Sequence, residues 1–167
     1  MDDAWYRKTM TEQSIQQSPG TVTSPTQDER TLAILAHVLQ VVGWFIAPLV
    51  IFLTKRDSKF VSFHALQALL LQIAYMIFMV LMFVGFFSTF FLTAFHQQGT
   101  GHQAPPAAFF ILFPLVWLGM MGSWVLILVV AIVYGIKAGR GEWAAYPVLG
   151  KLARKILKIE PSPTPAN

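Results

Sequence analysis

The chain contains no cysteine. Disulfides, thiolate zinc sites, iron–sulfur clusters and cysteine nucleophiles are therefore excluded. It also lacks charge where a soluble domain needs it. From Phe60 to Ile136 there is no Asp, Glu, Lys or Arg. A charge at the centre of a spanning helix costs at least about 2.5 kcal/mol, so lipid-embedded segments avoid it. A water-soluble surface has no such reason. The solvent around this stretch is a bilayer. All eight acidic residues lie outside the apolar segments. No paired carboxylates, no intramembrane proton relay and no Ser-His-Asp set follow from them. Gly99-Thr100-Gly101 is too short for a phosphate loop and no Lys follows it. His96 and His102 share one loop without a metal-ligand spacing or a nearby acid. Neither an enzyme, a cofactor nor a metal site is expected.

At 167 residues, with 55% of them hydrophobic and 12% charged, the chain makes one membrane domain with short tails. The net charge of +4 is uneven. Residues 1–31 are net acidic, whereas 54–59 and 137–167 are net basic. This basicity reads as loop charge meeting anionic headgroups rather than nucleic acid. No cleavable signal is expected, because the acidic N-terminus precedes any apolar run.

An all-α integral membrane fold is expected, with three spans and a C-terminal surface helix. Residues 1–25 are rich in Gln, Ser, Thr and Pro and read as a disordered tail. The helical domain runs over 26–159. Thr26 and Glu29 fit a capping box. Leu32–Thr54 would rise about 34 Å as a straight helix, enough for one span. Phe60–Gln67 is placed at the interface and the second span at 68–93. His96–Ala107 reads as a loop, and the third span covers 109–136. Trp143 and Tyr146 read as aromatic anchors at a membrane edge. Residues 147–159 form a basic amphipathic helix, opened by Pro147. Its apolar face is Leu149, Leu152, Ile156 and Ile159; Lys151, Arg154, Lys155 and Lys158 are its anionic-lipid contacts. Residues 160–167 read as a second disordered tail.

Lys and Arg near the span ends set the orientation. In the three-span arrangement Arg30 stands alone on one side. Lys55, Arg56, Lys59, Lys137, Arg140, Lys151, Arg154 and Lys155 share the other. The C-terminus is then cytoplasmic and the N-terminus outside. A rival arrangement makes 32–54 a re-entrant hairpin kinked at Gly43 and Pro48, with both termini inside. Its charge asymmetry is sharper still, but each half of that stretch is short.

Two polar faces stand out. His64, Gln67, Gln72 and Tyr75 fall within about 140° on a helix. His37 and Gln40 share a face with Trp44 and Pro48 on the first stretch. Either the two faces meet and satisfy each other, or they line a path or substrate groove. Ala131, Gly135 and Gly139 follow a small-xxx-small spacing suited to close helix packing, within the chain or in a homo-oligomer.

Four strings carry a family resemblance: LAILAHVL (32–39), IAPLVIFLTK (46–55), FVSFHALQALLLQ (60–72) and YGIKAGRGEWAAYP (134–147). Together they resemble a bacterial family of small membrane proteins of unknown function. That family is similar to the Tic-twenty component of the chloroplast inner-envelope translocon. The resemblance covers about residues 28–150, and its best motif is Phe63-His64-Ala65-x-Gln67-Ala68 with Gly141 and Tyr146-Pro147. It implies a non-enzymatic multi-pass protein of the bacterial inner membrane, associated with other membrane proteins, with a part in protein translocation. The alternative is a small transporter or pore that uses the His/Gln face.

Overall fold

In the computed structural model, residues 24–100 and 107–159 are described. They form five helices and, among the described residues, no strand: α1 (Gln27–Gly43), α2 (Ile46–Thr54), α3 (Lys59–Thr100), α4 (Ala107–Gly139) and α5 (Leu149–Leu157). The expected disorder of the two tails falls on residues outside this set, apart from Ser24 and Pro25.

The start of α1 follows from its sequence. Thr26 Oγ1 accepts from the Glu29 N–H at 3.3 Å, and Glu29 Oε2 accepts from the Thr26 N–H at 2.8 Å. The box satisfies donors that an open helix end leaves bare. The end of α1 does not follow. At Trp44 the backbone turns to φ 51°, ψ −136°, and a new helix starts at Ile46. The stretch expected as a first span is thus a helical hairpin. Its α1 arm has 17 residues and its α2 arm nine, both below the roughly 20 needed to cross.

Both ends of that hairpin lie on one side. The Ser58 hydroxyl, in the α2–α3 loop, donates to Glu29 Oε1 at 2.6 Å. The Arg30 guanidinium lies against Gly141, just past α4. Two helices remain that are long and apolar enough to span, Lys59–Gln97 and Phe109–Gly139. Two spans and a returning hairpin therefore replace the three spans. Twenty-three apolar residues reach across a bilayer only as a straight helix, and the backbone turns at Trp44. An N-terminus opposite to the 54–59 loop fails with that straight span.

The compact part sits at one end of the long helices. There α1 packs between the start of α3 and the end of α4, α2 lies on α3, and α5 crosses α3. Ala33 meets Phe60 and Ala138, while Ala36 meets Ile51, Val61 and Ala65. Phe60–Gln67, expected at an interface, forms the buried opening of α3. Ser58 caps it, accepting from the Val61 N–H at 3.2 Å. The far halves of α3 and α4 touch through Phe86, Phe90, Phe109 and Phe113. Their other faces are apolar and exposed, as lipid requires. Thr89, Thr93 and Ser123 donate back to carbonyls of their own helices, which pairs these hydroxyls without help from lipid. Helix α3 runs on to Thr100, so His96–Thr100 is helical rather than loop, and 101–106 lies outside the described residues.

Two outcomes are expected. Single cysteines at Ser24 and Asp57 should react with impermeant reagent from the same face of the membrane, and one at Gly99 from the other. Opposite labelling of Ser24 and Asp57 would restore a crossing through 32–54. The second outcome concerns acid. The Ser58 hydroxyl, and then the Thr26 N–H, hold the Glu29 carboxyl below its usual range. A lowered folded-state pKa gives stability that is present above the ordinary carboxylate range and lost as pH falls through the folded value. Thermal midpoints in detergent should fall between about pH 5 and pH 3, and less steeply in Glu29→Gln. An unchanged slope in that variant would remove the Glu29–Ser58 tie.

Candidate functional site

The connection from Arg140 to Val148 lies against the buried opening of α3. Its backbone has polar groups that helix geometry no longer satisfies. Side chains meet them one by one. His64 Nε2 donates to the Glu142 carbonyl at 3.1 Å. Arg154 donates to the Trp143 carbonyl at 3.2 Å. Gln67 Nε2 donates to the Ala144 carbonyl at 3.2 Å, and the Tyr134 hydroxyl to the Ala145 carbonyl at 3.3 Å. The Tyr146 N–H donates to Gln67 Oε1 at 2.7 Å.

A chain of three rings continues from there. His64 Nδ1 lies 3.0 Å from His37 Nε2, and His37 Nδ1 lies 2.9 Å from the Tyr146 hydroxyl. Burial disfavours a charge on either ring, and with both imidazoles neutral one proton arrangement fits. The Glu142 carbonyl can only accept, so His64 carries its proton on Nε2 and accepts at Nδ1. His37 must then carry its proton on Nε2 and accept at Nδ1, so Tyr146 donates. Both imidazoles are neutral in this assignment. His37, His64 and Gln67 are fully buried, and Tyr146 is nearly so. Tyr146 is thus an interior residue and not an anchor at the membrane edge. Burial raises its phenol above the usual range; the Gln40 amide opposes that shift, and Tyr134 adds to it. Tyr134 and Tyr146 stack edge to face, with centroids 4.3 Å apart.

The two polar faces read from the sequence therefore meet, through His37 and His64 alone. Gln67 turns to the 144–146 backbone instead. Gln40 faces the Tyr146 hydroxyl but makes no hydrogen bond, and neither does Gln72 Oε1. Gln40, Gln72 and Tyr75 line a cavity of about 290 Å³ between α1, α3 and α4. No direct Gln40–Gln72 or Gln40–His64 bond forms. Among the described residues no group of three metal-ligating side chains forms.

Gly135 and Gly139 face α1, and Ala131 on the same stripe is buried. A Cβ on Gly135 would sit 3.8 Å from His37 Cβ, and one on Gly139 only 2.9 Å from Ile34 Cδ1. The small-residue stripe lets α1 approach closely enough for His37 to reach both partners.

The last helix is shorter than 147–159. Val148 is its N-cap, Pro147 precedes it, and Lys158 ends it in the left-handed region at φ 52°. Ala153 and Leu157 pack with Phe63, Leu66 and Leu70. Arg154, expected to face lipid, bonds Trp143 and covers the Phe63 ring at 5.4 Å. Lys151, Lys155 and Lys158 stay exposed, beside Leu152 and Ile156. The periodicity argument missed a second apolar face because Gly150 and Ala153 are small. A Cβ on Gly150 would lie 2.6 Å from Ala145 Cβ.

The roles of Tyr146, Tyr134 and Arg154 were not visible in helical periodicity. Tyr146-Pro147 did stand out as a local string, which was the available signal.

These features define a small α-helical protein with two helices long and apolar enough to span a membrane and a polar-cored head. More narrowly, the chain belongs to the magnetosome magnetite crystal formation protein family (MamF/MmsF), whose family model matches residues 28–153. No curated protein and no solved structure matches it. The family match overturns the resemblance to the Tic-twenty translocon component. Short apolar strings mislead here because every bilayer selects the same few residue types.

The His–His contact makes a specific energetic claim. His37→Leu leaves the Tyr146 hydroxyl and His64 Nδ1 without their partners and should cost about 1–3 kcal/mol in detergent. His64→Leu should cost a similar amount, and the double variant less than the sum, with coupling of about 0.5–3 kcal/mol. Gln40→Leu and His64→Leu should add without coupling. Strict additivity of the two His variants would refute the shared hydrogen bond.

Proposed function

We propose that this protein is a non-enzymatic component of the magnetosome membrane that takes part in magnetite crystal formation. It works by associating with other membrane proteins or with copies of itself. The observation that carries this is the family match, which takes in α1 to α4 and half of α5. The geometry supports it. The polar side chains of the head bind one another and a loop backbone, a use that locks structure. The long helices leave most of their apolar surface free for lipid or for other helices.

We propose an orientation too. Lys55, Arg56, Lys59, Lys137 and Arg140 gather at the head end, and no Lys or Arg lies between the spans. Cationic flanks stay cytoplasmic. The head, both termini and α5 then face the cytoplasm in the bacterial inner-membrane system, and the 101–106 connection faces the opposite, luminal side. Lys151, Lys155 and Lys158 lie near anionic headgroups, each contributing about 1 kcal/mol.

Deleting the gene from a magnetite-forming bacterium tests the proposal. Electron microscopy should show altered magnetite crystals in vesicles that still form, and the wild-type gene should restore them. Tagged protein should fractionate with magnetosome membranes. Unchanged crystals, or protein confined to other fractions, would overturn the proposal. Purified protein in liposomes should pass no ions, since His37, His64 and Gln67 are taken up by one another and by the 142–146 backbone.

A further inference from the structure

The cavity at the tip of the α1–α2 hairpin has an odd lining. Most of it is apolar, with Met79, Met120, Trp44 and Trp124 among its walls. At one side stand the amides of Gln40 and Gln72, each almost wholly buried. Gln40 Oε1, Gln40 Nε2 and Gln72 Oε1 have no hydrogen-bond partner. The nearby Tyr146 hydroxyl cannot relieve the carbonyls. Its proton is committed to His37, so it can only accept, and only from Gln40 Nε2. Two buried carbonyl oxygens still lack donors. In an apolar setting such groups are costly unless something fills the space and bonds them.

We propose that this cavity is a binding site for a small neutral molecule with an apolar body and a hydroxyl. The hydroxyl donates to the Gln40 or Gln72 carbonyl and accepts from Gln40 Nε2. The alkyl part lies against the Met and Trp side chains. A volume of about 290 Å³ corresponds to roughly ten water volumes at about 30 Å³ each. That suits a single chain of about eight carbons and is too small for a two-chain lipid. A cation is disfavoured because no carboxylate lines the cavity to balance it. Thioethers and indoles suit an apolar guest, since sulfur and ring faces offer polarisable contact without demanding hydrogen bonds. The inference does not depend on the role in magnetite formation.

Trp44 and Trp124 provide the readout. The full-length protein in lipid nanodiscs is titrated with 8-bromo-1-octanol, whose bromine quenches indole fluorescence on contact. Saturable quenching is expected, and it should disappear in Trp44→Phe/Trp124→Phe. The hydroxyl-free 1-bromooctane should give only the linear quenching of a probe dissolved in the bilayer. Gln40→Leu/Gln72→Leu keeps side-chain size but removes the amides; it should weaken the saturable phase at least tenfold. Met79→Phe, which fills the apolar end, should weaken it as well. Circular dichroism and the thermal midpoint confirm that each variant is folded. A phospholipid brominated on one chain, tested in parallel, should not reproduce the saturable phase. Saturation by that lipid would assign the site to a membrane chain instead and overturn the small-alcohol proposal. Equal behaviour of the alcohol and the alkane, an unaffected double Gln variant, or stronger binding of an 8-bromooctyl trimethylammonium probe would each overturn it too.

Discussion

A loop that leaves a membrane helix and runs back under its neighbours must find partners for its backbone. From Glu142 to Ala145 each carbonyl of this loop accepts from a side chain, and the Tyr146 N–H donates to one. The side chains come from α3, α4 and α5, so the loop ties three helices into one body. Gln67 is central: it holds both the Ala144 carbonyl and the Tyr146 N–H. Tyr146, once fixed, offers its hydroxyl to His37 and so brings in α1 as well. Removing any one donor leaves a buried acceptor bare, which is why the network acts as a unit.

Burial keeps both imidazoles neutral, and neutrality fixes the direction of their hydrogen bonds. The chain from Tyr146 through His37 and His64 to the Glu142 carbonyl ends on a group that only accepts. Direction then propagates backwards through every ring. No side chain in this chain carries charge, so none needs a counter-ion in a low-dielectric interior. The arrangement suits a structural lock, and it leaves most of the apolar surface of α3 and α4 exposed.

The hairpin shows how close packing and topology combine. Gly135 and Gly139 allow α1 to lie almost on the backbone of α4. A Cβ at Gly139 would crowd the end of the Ile34 side chain, whereas one at Gly135 would just reach van der Waals contact with His37. The turn at Trp44 sends α2 back toward the 55–58 loop, where Ser58 closes on Glu29. A returning hairpin also gathers every loop cation at one end of the molecule, an arrangement that the preference for positive residues on one face favours.

Much of this protein is legible in the residue order. The absence of charge from Phe60 to Ile136 requires a bilayer, and helices follow because lipid offers backbone groups no other partner. The Thr26–Glu29 capping box sets where order begins, because its contacts are local. His37, His64 and Gln67 announce themselves as polar residues on otherwise apolar faces. Long-range packing decided the rest. A 23-residue apolar stretch satisfies the length of a span equally well straight or folded, and only contacts with α3 and α4 select the folded form at Trp44. The same holds for Tyr146 and Arg154, whose spacing suggests an anchor and a lipid contact. Their partners lie far away in sequence, or on a loop with no periodicity to read. Residue order sets which groups must be satisfied; the tertiary fold sets which group satisfies which.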